Sequence, residues 1–427
     1  MNKNLEYIVV GAGIAGLGVA YELQKAGKEV LVLESEEMAG GRMSTQMLKD
    51  IPIDIGAQFI TSFYKNIWNL SEELNLEPSL FDVGNVAILR HEKLFSLNPK
   101  NLRSLCMFGG ISPLSKIRLA FVLFYKLVMS SRLNLYDLKK NLALDDKSVY
   151  DDLVDIVEKE SFTNLLDPMC EALFWYDSKE FSNVLFLAIL RKVLFCKFYS
   201  FENGIGKLTQ KISEKLDIHY QEKVVSIIRK KVGVTVITNK KSYCANRVIV
   251  AIPGNEVLNV LDTPTNLESQ FFSQIRYSTA AYIFCQAKTK IFSNCNTIWL
   301  PEKENEHFSS ISKNNHVKNY PSTHFSLAIR DSALRKLTTT NRLHKHIISK
   351  MIIESFDFFQ DLQIDYIHIW DSALPKFVPG FLRQKYDFLD KTQFDKQIFY
   401  CGDYLESPSV EGALTSGIKL AKQLINE

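Results

Sequence analysis

Residues 9–18 read VVGAGIAGLG, and Gly11, Gly13 and Gly16 within them keep the spacing G-x-G-x-x-G. That spacing suits a nucleotide pyrophosphate. Gly11 permits a tight turn, Gly13 lets the main chain approach phosphate, and Gly16 lets a helix lie close on the preceding strand. Ala15 falls at the start of that helix, whose unpaired N–H groups and partial positive charge attract an anion. Glu34 follows Gly16 by 18 residues, near the distance at which an acid accepts ribose hydroxyls. Its negative charge would repel a 2′-phosphate, so a nucleotide without one is expected.

Three further clusters could touch the same ligand. In SEEMAGGRMST, Gly41 lets the backbone run against a planar or charged group, and Arg42 offers a fork of donors to phosphate oxygens. In IPIDIGAQFIT, the strand pattern breaks at Gly56, and the main chain of Ala57 and Gln58 could pass a flat ring. Near the C-terminus, CGDYLESPSVEGALTSG places Gly402 and Asp403 in a turn, with a helix entered through Ser407, Pro408 and Ser409. Asp403 could accept hydroxyl hydrogen bonds, and the helix start at Glu411, Gly412 and Ala413 could face an oxygen that becomes anionic. A solvated turn and a capped helix without ligand would carry the same letters.

Other reactive residue types point nowhere. His307, His316 and His324 match no metal-ligand spacing, and His344 and His346, two apart, would face different sides of a helix. No metal is expected. The seven cysteines form no C-x-x-C pair and their number is odd, which suits reduced thiols in the cytoplasm.

The elements that must position these residues follow from hydrophobic period. Tyr7 to Val10, Leu17 to Lys25 and Glu29 to Leu33 read as strand, helix and strand. Residues 66–200 read as mostly helical with aromatic faces, among them Phe174, Trp175, Tyr176, Phe195, Phe198 and Tyr199. Residues 207–252 return to the first pattern, and VIVAIP is expected to rejoin the parallel sheet begun near residue 5. A strand is expected over Ser278 to Ala287, and a mobile polar loop over 301–325. At 427 residues two domains are the natural expectation, and a net charge of +3 without a basic run excludes a nucleic-acid footprint. MNKNLEY lacks a leader pattern, so a cytoplasmic location is expected. IRLAFVLFYKLVM, 117–129, is too short to span a bilayer. Within 114–133, flanked by Lys116, Arg118 and Arg132, it could lie against the inner membrane face or cover an apolar cavity.

With the blocks VVGAGIAGLGVAYELQKAGKEVLVLESEEMAGGR, EKVVSI with VIVAIP, IWDSALPKFVPG and CGDYLESPSVEGALTSG in family order, the chain resembles the flavin-containing amine oxidase and protoporphyrinogen oxidase superfamily. The resemblance spans essentially the whole sequence. It implies an α/β fold: a Rossmann-like FAD-binding domain with a parallel sheet, interleaved with an α+β substrate domain and a helical cap. The implied boundaries are 1–65, 201–254 and 396–427 for the FAD-binding domain, 66–200 for the cap and 255–395 for the sheet-containing substrate domain. It implies non-covalent FAD held by Gly11, Gly13, Ala15, Gly16, Glu34 and the main chain of Val224, with Arg42 near the pyrophosphate. Gly402 and Asp403 would meet the ribityl region, Gly412 and Ala413 the pyrimidine edge, and Gly41, Ala57 and Gln58 the isoalloxazine. Trp370 takes the position of a recurrent tryptophan near the flavin, and Tyr282 that of a lysine common in amine oxidases.

The implied activity is dehydrogenation of a hydrophobic small molecule by hydride transfer to flavin N5, with oxygen or a quinone as acceptor. Amine oxidation with peroxide release is the alternative enzyme reading. A non-catalytic binding protein of the GDP-dissociation-inhibitor type is the alternative from another class.

Overall fold

The run Val248, Ile249, Val250 has no exposed surface on either side. Such a run belongs in a sheet covered on both faces. It ends the strand Ser242–Val250, which pairs in parallel with Asn4–Val10 and with Ile398–Tyr400. Asn4–Val10 pairs onward with Val30–Leu33, and that strand with Ile218–His219, both in parallel. At the other edge, Val234–Thr238 and Val224–Arg229 add antiparallel strands. VIVAIP therefore rejoins the sheet begun at the N-terminus, as its composition required.

This computed structural model describes residues 4–82, 84–98, 101–129, 133–193, 196–314, 323–339, 344–392 and 397–427. By internal contact the chain divides into two units. The first is Met1–Leu80, Lys197–Tyr277 and Phe381–Glu427, and the second is Phe81–Cys196 and Ser278–Gly380.

In the first unit the helices Ile14–Lys25 and Val410–Asn426 cross closely because small residues meet there. A Cβ on Gly417 would lie 2.3 Å from the Ala15 carbonyl oxygen, and one on Gly18 would lie 2.5 Å from Leu414. Leu17, Val19, Leu23, Leu414 and Leu424 fill the apolar core around the crossing. Glu411, 1% exposed, reaches across to the helix Lys65–Glu73. Its carboxylate accepts the backbone N–H of Asn66 at 2.8 Å and of Ile67 at 3.0 Å, satisfying two of that helix's unpaired donors.

The second unit is built on the sheet order Gln360–Trp370, Ala280–Lys288, Thr323–Ile329, Phe308–Lys313, Thr297–Trp299, Val86–Arg90, Lys93–Leu97. Along Ala280–Lys288 alternate side chains part to opposite faces. Ala281, Ile283, Cys285 and Ala287 enter the apolar core with Phe308, Phe325 and Leu327. Tyr282 and Phe284 take the other face.

Two expectations change. The segment 66–200, read as helical, also holds the hairpin Val86–Arg90 and Lys93–Leu97, which joins the second unit's sheet through Thr297–Trp299. The polar run 301–325 contains the strand Phe308–Lys313, with Phe308 and Ile311 fully buried and Ser309 at 2% exposure. A bulge between Phe308 and Ser310 breaks its alternation and disguised its period. Residues 315–322 of that run, His316 among them, lie outside the described residues.

Filling the helix crossing should be costly. Gly417→Val is expected to destabilise the protein by about 1–3 kcal/mol, read as a lower urea midpoint. Burial also pushes the Glu411 carboxyl up to about 7 despite its two N–H partners. A folded-state value above the ordinary 4.5 means the folded protein holds the proton more tightly, so stability should fall as pH rises from about 4.5 to 7 and then level off. Thermal melts should show that slope reduced in Glu411→Gln, and an unchanged slope would remove Glu411 as its source.

Candidate functional site

The glycine cluster of the first unit has the geometry of a phosphate cradle. Gly11 sits at φ 101°, where a side chain is strained, and its N–H donates to the Leu33 carbonyl at 2.8 Å. A Cβ on Gly16 would lie 2.0 Å from the Gly11 carbonyl oxygen, so the helix can approach the strand only with glycine there. Gly13 differs: a Cβ on it would meet nothing within 4 Å. Space therefore opens in front of the second glycine. Gly13 is also the N-cap of Ile14–Lys25, with no side-chain cap and no acid in the first turn. The N–H groups of Ile14, Ala15 and Gly16 are left for an anion.

Glu34 closes one end of this cradle. It is 8% exposed, and its carboxylate accepts the Ala12 N–H at 2.6 Å and the Glu36 N–H at 3.0 Å. These bonds hold the acid beside the glycine turn; Oε1 also accepts the Ser35 hydroxyl at 3.1 Å, so Oε2 keeps the acceptor capacity for a ribose hydroxyl. Glu34 also continues the sheet edge, through its N–H to the His219 carbonyl and its carbonyl to the Glu222 N–H. Val224, buried at 6%, begins the next strand two residues after Glu222.

The turn Gly40-Gly41-Arg42 lies against the first loop: the Gly40 N–H donates to the Ala12 carbonyl at 2.8 Å, and a Cβ on Gly41 would lie 3.7 Å from the Gly13 Cα. The Ala57 N–H donates to the Arg42 carbonyl at 2.8 Å, which brings the Ala57-Gln58 segment to the same turn. Arg42 reaches Asp403 from the far end of the chain, Nη1 to Oδ2 at 2.6 Å. Asp403 Oδ1 also accepts the Tyr277 hydroxyl and the Tyr404 N–H, each at 3.0 Å. The Gly254 N–H donates to the Tyr277 oxygen at 3.2 Å, and the Arg42 guanidinium lies 5.4 Å from the centre of the Tyr277 ring.

Burial alone would lower the Arg42 pKa, but Asp403 and then Tyr277 outweigh it and hold the guanidinium above its ordinary value. Burial, reinforced by the Asp403 charge, lifts the Tyr277 hydroxyl well above its ordinary range, so it stays a donor. Tyr277 was invisible to sequence reasoning, since no motif surrounds it.

At the last helix the expected donors shift. The Gly412 N–H is taken by the Ser409 hydroxyl at 3.0 Å and the Ala413 N–H by the Ser409 carbonyl at 3.0 Å. A Cβ on Gly412 would lie 2.2 Å from the Ser407 carbonyl oxygen, so Gly412 is a packing glycine. The first-turn N–H groups that a ligand could use are those of Val410 and Glu411. Ser409 at the N-cap with Gly412 three residues on was the signal for this. Cys401, beside the Gly402 turn, is fully buried, and burial pushes its thiol up to about 12. A neutral thiol is a poor nucleophile, which fits a cofactor held without a covalent link.

The second unit carries a continuous aromatic run. Trp175, at φ 63° after the helix Asp167–Phe174, lies 4.9 Å from Tyr282, and Tyr282 lies 6.1 Å from Phe284. Phe284 meets Tyr366 at 6.2 Å, Tyr366 stacks on His368, and His368 meets Trp370 at 4.5 Å. Register explains the array, since Tyr282 opposes His368 and Phe284 opposes Tyr366 across two antiparallel strands. The expected aromatic cap is only partly this surface. Phe198 and Tyr199 form a strand of the first unit, paired with Ile60–Thr61, and Phe195 lies outside the described residues. A buried lysine of the second unit, Lys376, is bound to Asp331 at 2.9 Å and to Glu180.

Among the described residues no group of three metal-ligating side chains forms. His344 and His346 stack at 5.6 Å, against expectation, because His344 precedes the helix Lys345–Ser355 as its N-cap and is not on it.

The cradle makes a direct prediction. Glu34→Ala removes acceptors at the ribose end and should weaken FAD binding at least about tenfold, the worth of one hydrogen bond to a charged group. Tyr277→Phe should act more mildly, through looser placement of Asp403. Flavin retained after desalting, with far-UV dichroism as the folding control, measures both; undiminished retention in Glu34→Ala would refute this role.

Comparison with known proteins agrees with this geometry. Residues 14–425 match the family model described as flavin-containing amine oxidoreductase. A Dictyostelium discoideum protein assigned as flavin-containing monoamine oxidase A is 25% identical over 274 residues, 59% of this chain and 58% of that protein. The stretches shared with the curated relatives thus span little more than half of those proteins, or much less. Wild-type putrescine oxidase bound to putrescine has a similar fold, with a TM-score of 0.80, 16% identity and 100% of each chain covered. A protein from Exiguobacterium assigned as a protoporphyrinogen oxidase gives 0.78 with 14% identity, again over 100% of each chain. The GDP-dissociation-inhibitor reading is not supported, because the matching family is one of oxidoreductases. The chain belongs to the flavin-containing amine oxidoreductase family, whose cofactor is FAD and whose members are enzymes.

Proposed function

We propose that this FAD-dependent oxidoreductase dehydrogenates an apolar, ring-sized or long small molecule, in the manner of a porphyrinogen oxidase. The observation that carries the reading is the run of six rings from Trp175 to Trp370 on one face of the second unit's sheet. Aromatic side chains offer large apolar area and few polar demands, which suits a flat or extended hydrocarbon. Tyr282, at the position for which the resemblance implied a lysine, would offer a ring face rather than an ammonium to the substrate.

Bound FAD supplies the two-electron acceptor chemistry. The chain's own residues bind and orient. Gly13 and the start of Ile14–Lys25 take the pyrophosphate, Glu34 the ribose, and Arg42, held by Asp403, adds positive charge beside phosphate. The first turn of Val410–Asn426 would face the cofactor with N–H groups and a helix dipole, a setting that favours negative charge. The aromatic run excludes water from the substrate. Oxygen or a quinone is the proposed final acceptor.

Amine oxidation is the second reading, supported by the likeness to putrescine oxidase and by the attraction of aromatic faces for an ammonium group. Anaerobic titration of the holoprotein with porphyrinogens, isoprenoids, aryl amines and polyamines, following loss of flavin absorbance, separates the two. Bleaching by porphyrinogens or isoprenoids supports the apolar reading, and bleaching by amines alone overturns it. With the substrate so found, Trp175→Ala should raise KM about tenfold, roughly the worth of one lost aromatic contact, at unchanged flavin content.

A further inference from the structure

The backbone of Glu34 is gripped on both sides by one short turn of the first unit. Its N–H donates to the His219 carbonyl at 2.9 Å, and its carbonyl accepts the Glu222 N–H at 2.7 Å. Between these two contacts Gln221 stands at φ 54°, a left-handed conformation uncommon for any residue but glycine, and its N–H donates to the Glu36 carbonyl at 3.0 Å. A strained residue of this kind persists where its surroundings over-determine it. Here the surroundings are side chains from two other strands.

Glu222 is buried, and its Oε1 accepts the Tyr243 hydroxyl at 2.7 Å, with the Thr238 hydroxyl 3.0 Å from the same oxygen. The Tyr243 hydroxyl has one proton and gives it to Glu222, so its oxygen accepts from His219 Nδ1, 2.8 Å away. That nitrogen also lies 3.5 Å from Glu222 Oε2. Burial alone would raise the Glu222 carboxyl, but the hydrogen bonds from Tyr243 and then Thr238 outweigh it and hold the group below its ordinary value. Thr238 ends the strand Val234–Thr238, and Tyr243 stands at the start of Ser242–Val250. Both residues that grip the Glu34 backbone are thus members of one polar network fastened to those strands.

We propose that Glu222, fixed by Tyr243, Thr238 and His219, is a positioning residue for the adenosine end of FAD. It holds the backbone of Glu34 and, through it, the carboxylate that receives the ribose. The role rests on the assignment of Glu34 to the ribose and is independent of the substrate.

The test is FAD release on dilution of the holoprotein, read as flavin fluorescence, in the wild type, Glu34→Ala, Glu222→Ala, the double variant and Glu222→Gln. A residue that acts through Glu34 adds nothing once the Glu34 carboxylate is gone. Glu222→Ala should therefore weaken FAD binding about fivefold, and the double variant should match Glu34→Ala within about twofold. Glu222→Gln keeps an oxygen for Tyr243 and Thr238 and should restore most of the affinity. If far-UV dichroism shows Glu222→Ala unfolded, Tyr243→Phe takes its place, with a loss of about threefold that also vanishes in the Glu34→Ala background. Losses that multiply in the double variant, or undiminished affinity in Glu222→Ala, overturn the proposal, since a purely structural role loosens FAD independently of Glu34. Undiminished affinity in Glu34→Ala is a separate result, which overturns the ribose assignment and the positioning role with it.

Discussion

The first unit depends on the ion pair between Arg42 and Asp403, two residues 361 positions apart. Asp403 is almost wholly enclosed, and a buried carboxylate is tolerated only when its oxygens find donors. Arg42, the Tyr277 hydroxyl and the Tyr404 N–H supply them. The pair therefore draws three chain segments to one point: the turn after the second strand, the end of the middle segment and the turn before the last helix. Removing either partner would strand the other charge, so the arrangement specifies geometry more than it adds stability.

Close helix packing answers the same need from the other side. The first and last helices meet at Ala15 and Gly417 with no room for a side chain. That contact fixes the two helices against each other within one unit, and helix starts are where backbone donors gather. Both starts carry the same device, backbone N–H groups and the positive end of a helix dipole, at opposite ends of the sequence. The second unit is organised by register instead. Alternation along Ala280–Lys288 sends aliphatic residues to the core and aromatic ones to the opposite face, where Gln360–Trp370 adds its own rings.

The local geometry at the glycine spacing and Glu34, and the candidacy of Arg42 and the Gly402-Asp403 turn, were legible in the letters because each demands a residue type at a local distance. Gly11 needs a positive φ, Gly16 needs no Cβ, and Glu34 needs the end of a strand. The strand at Phe308–Lys313 was not legible, since a bulge between Phe308 and Ser310 breaks its two-residue alternation. The hairpin Val86–Arg90 with Lys93–Leu97 was hidden for a different reason. Its partner strand, Thr297–Trp299, lies some two hundred residues away, beyond any local period.

The sequence by itself determined the local geometry at the glycine end of the candidate site, because backbone conformation and a carboxylate at a strand end are local properties. Only the tertiary structure decided what Arg42 pairs with, that Tyr277 joins it, and that Val410 and Glu411 rather than Gly412 and Ala413 offer donors at the last helix. It also decided which aromatic residues of the expected cap share a surface: Trp175 meets Tyr282, while Phe198 and Tyr199 belong to another unit. The physical reason is common to all of these. Burial of a charge, capture of an N–H by a cap and the stacking of rings depend on groups brought together from distant parts of the chain, and no local spacing encodes that meeting.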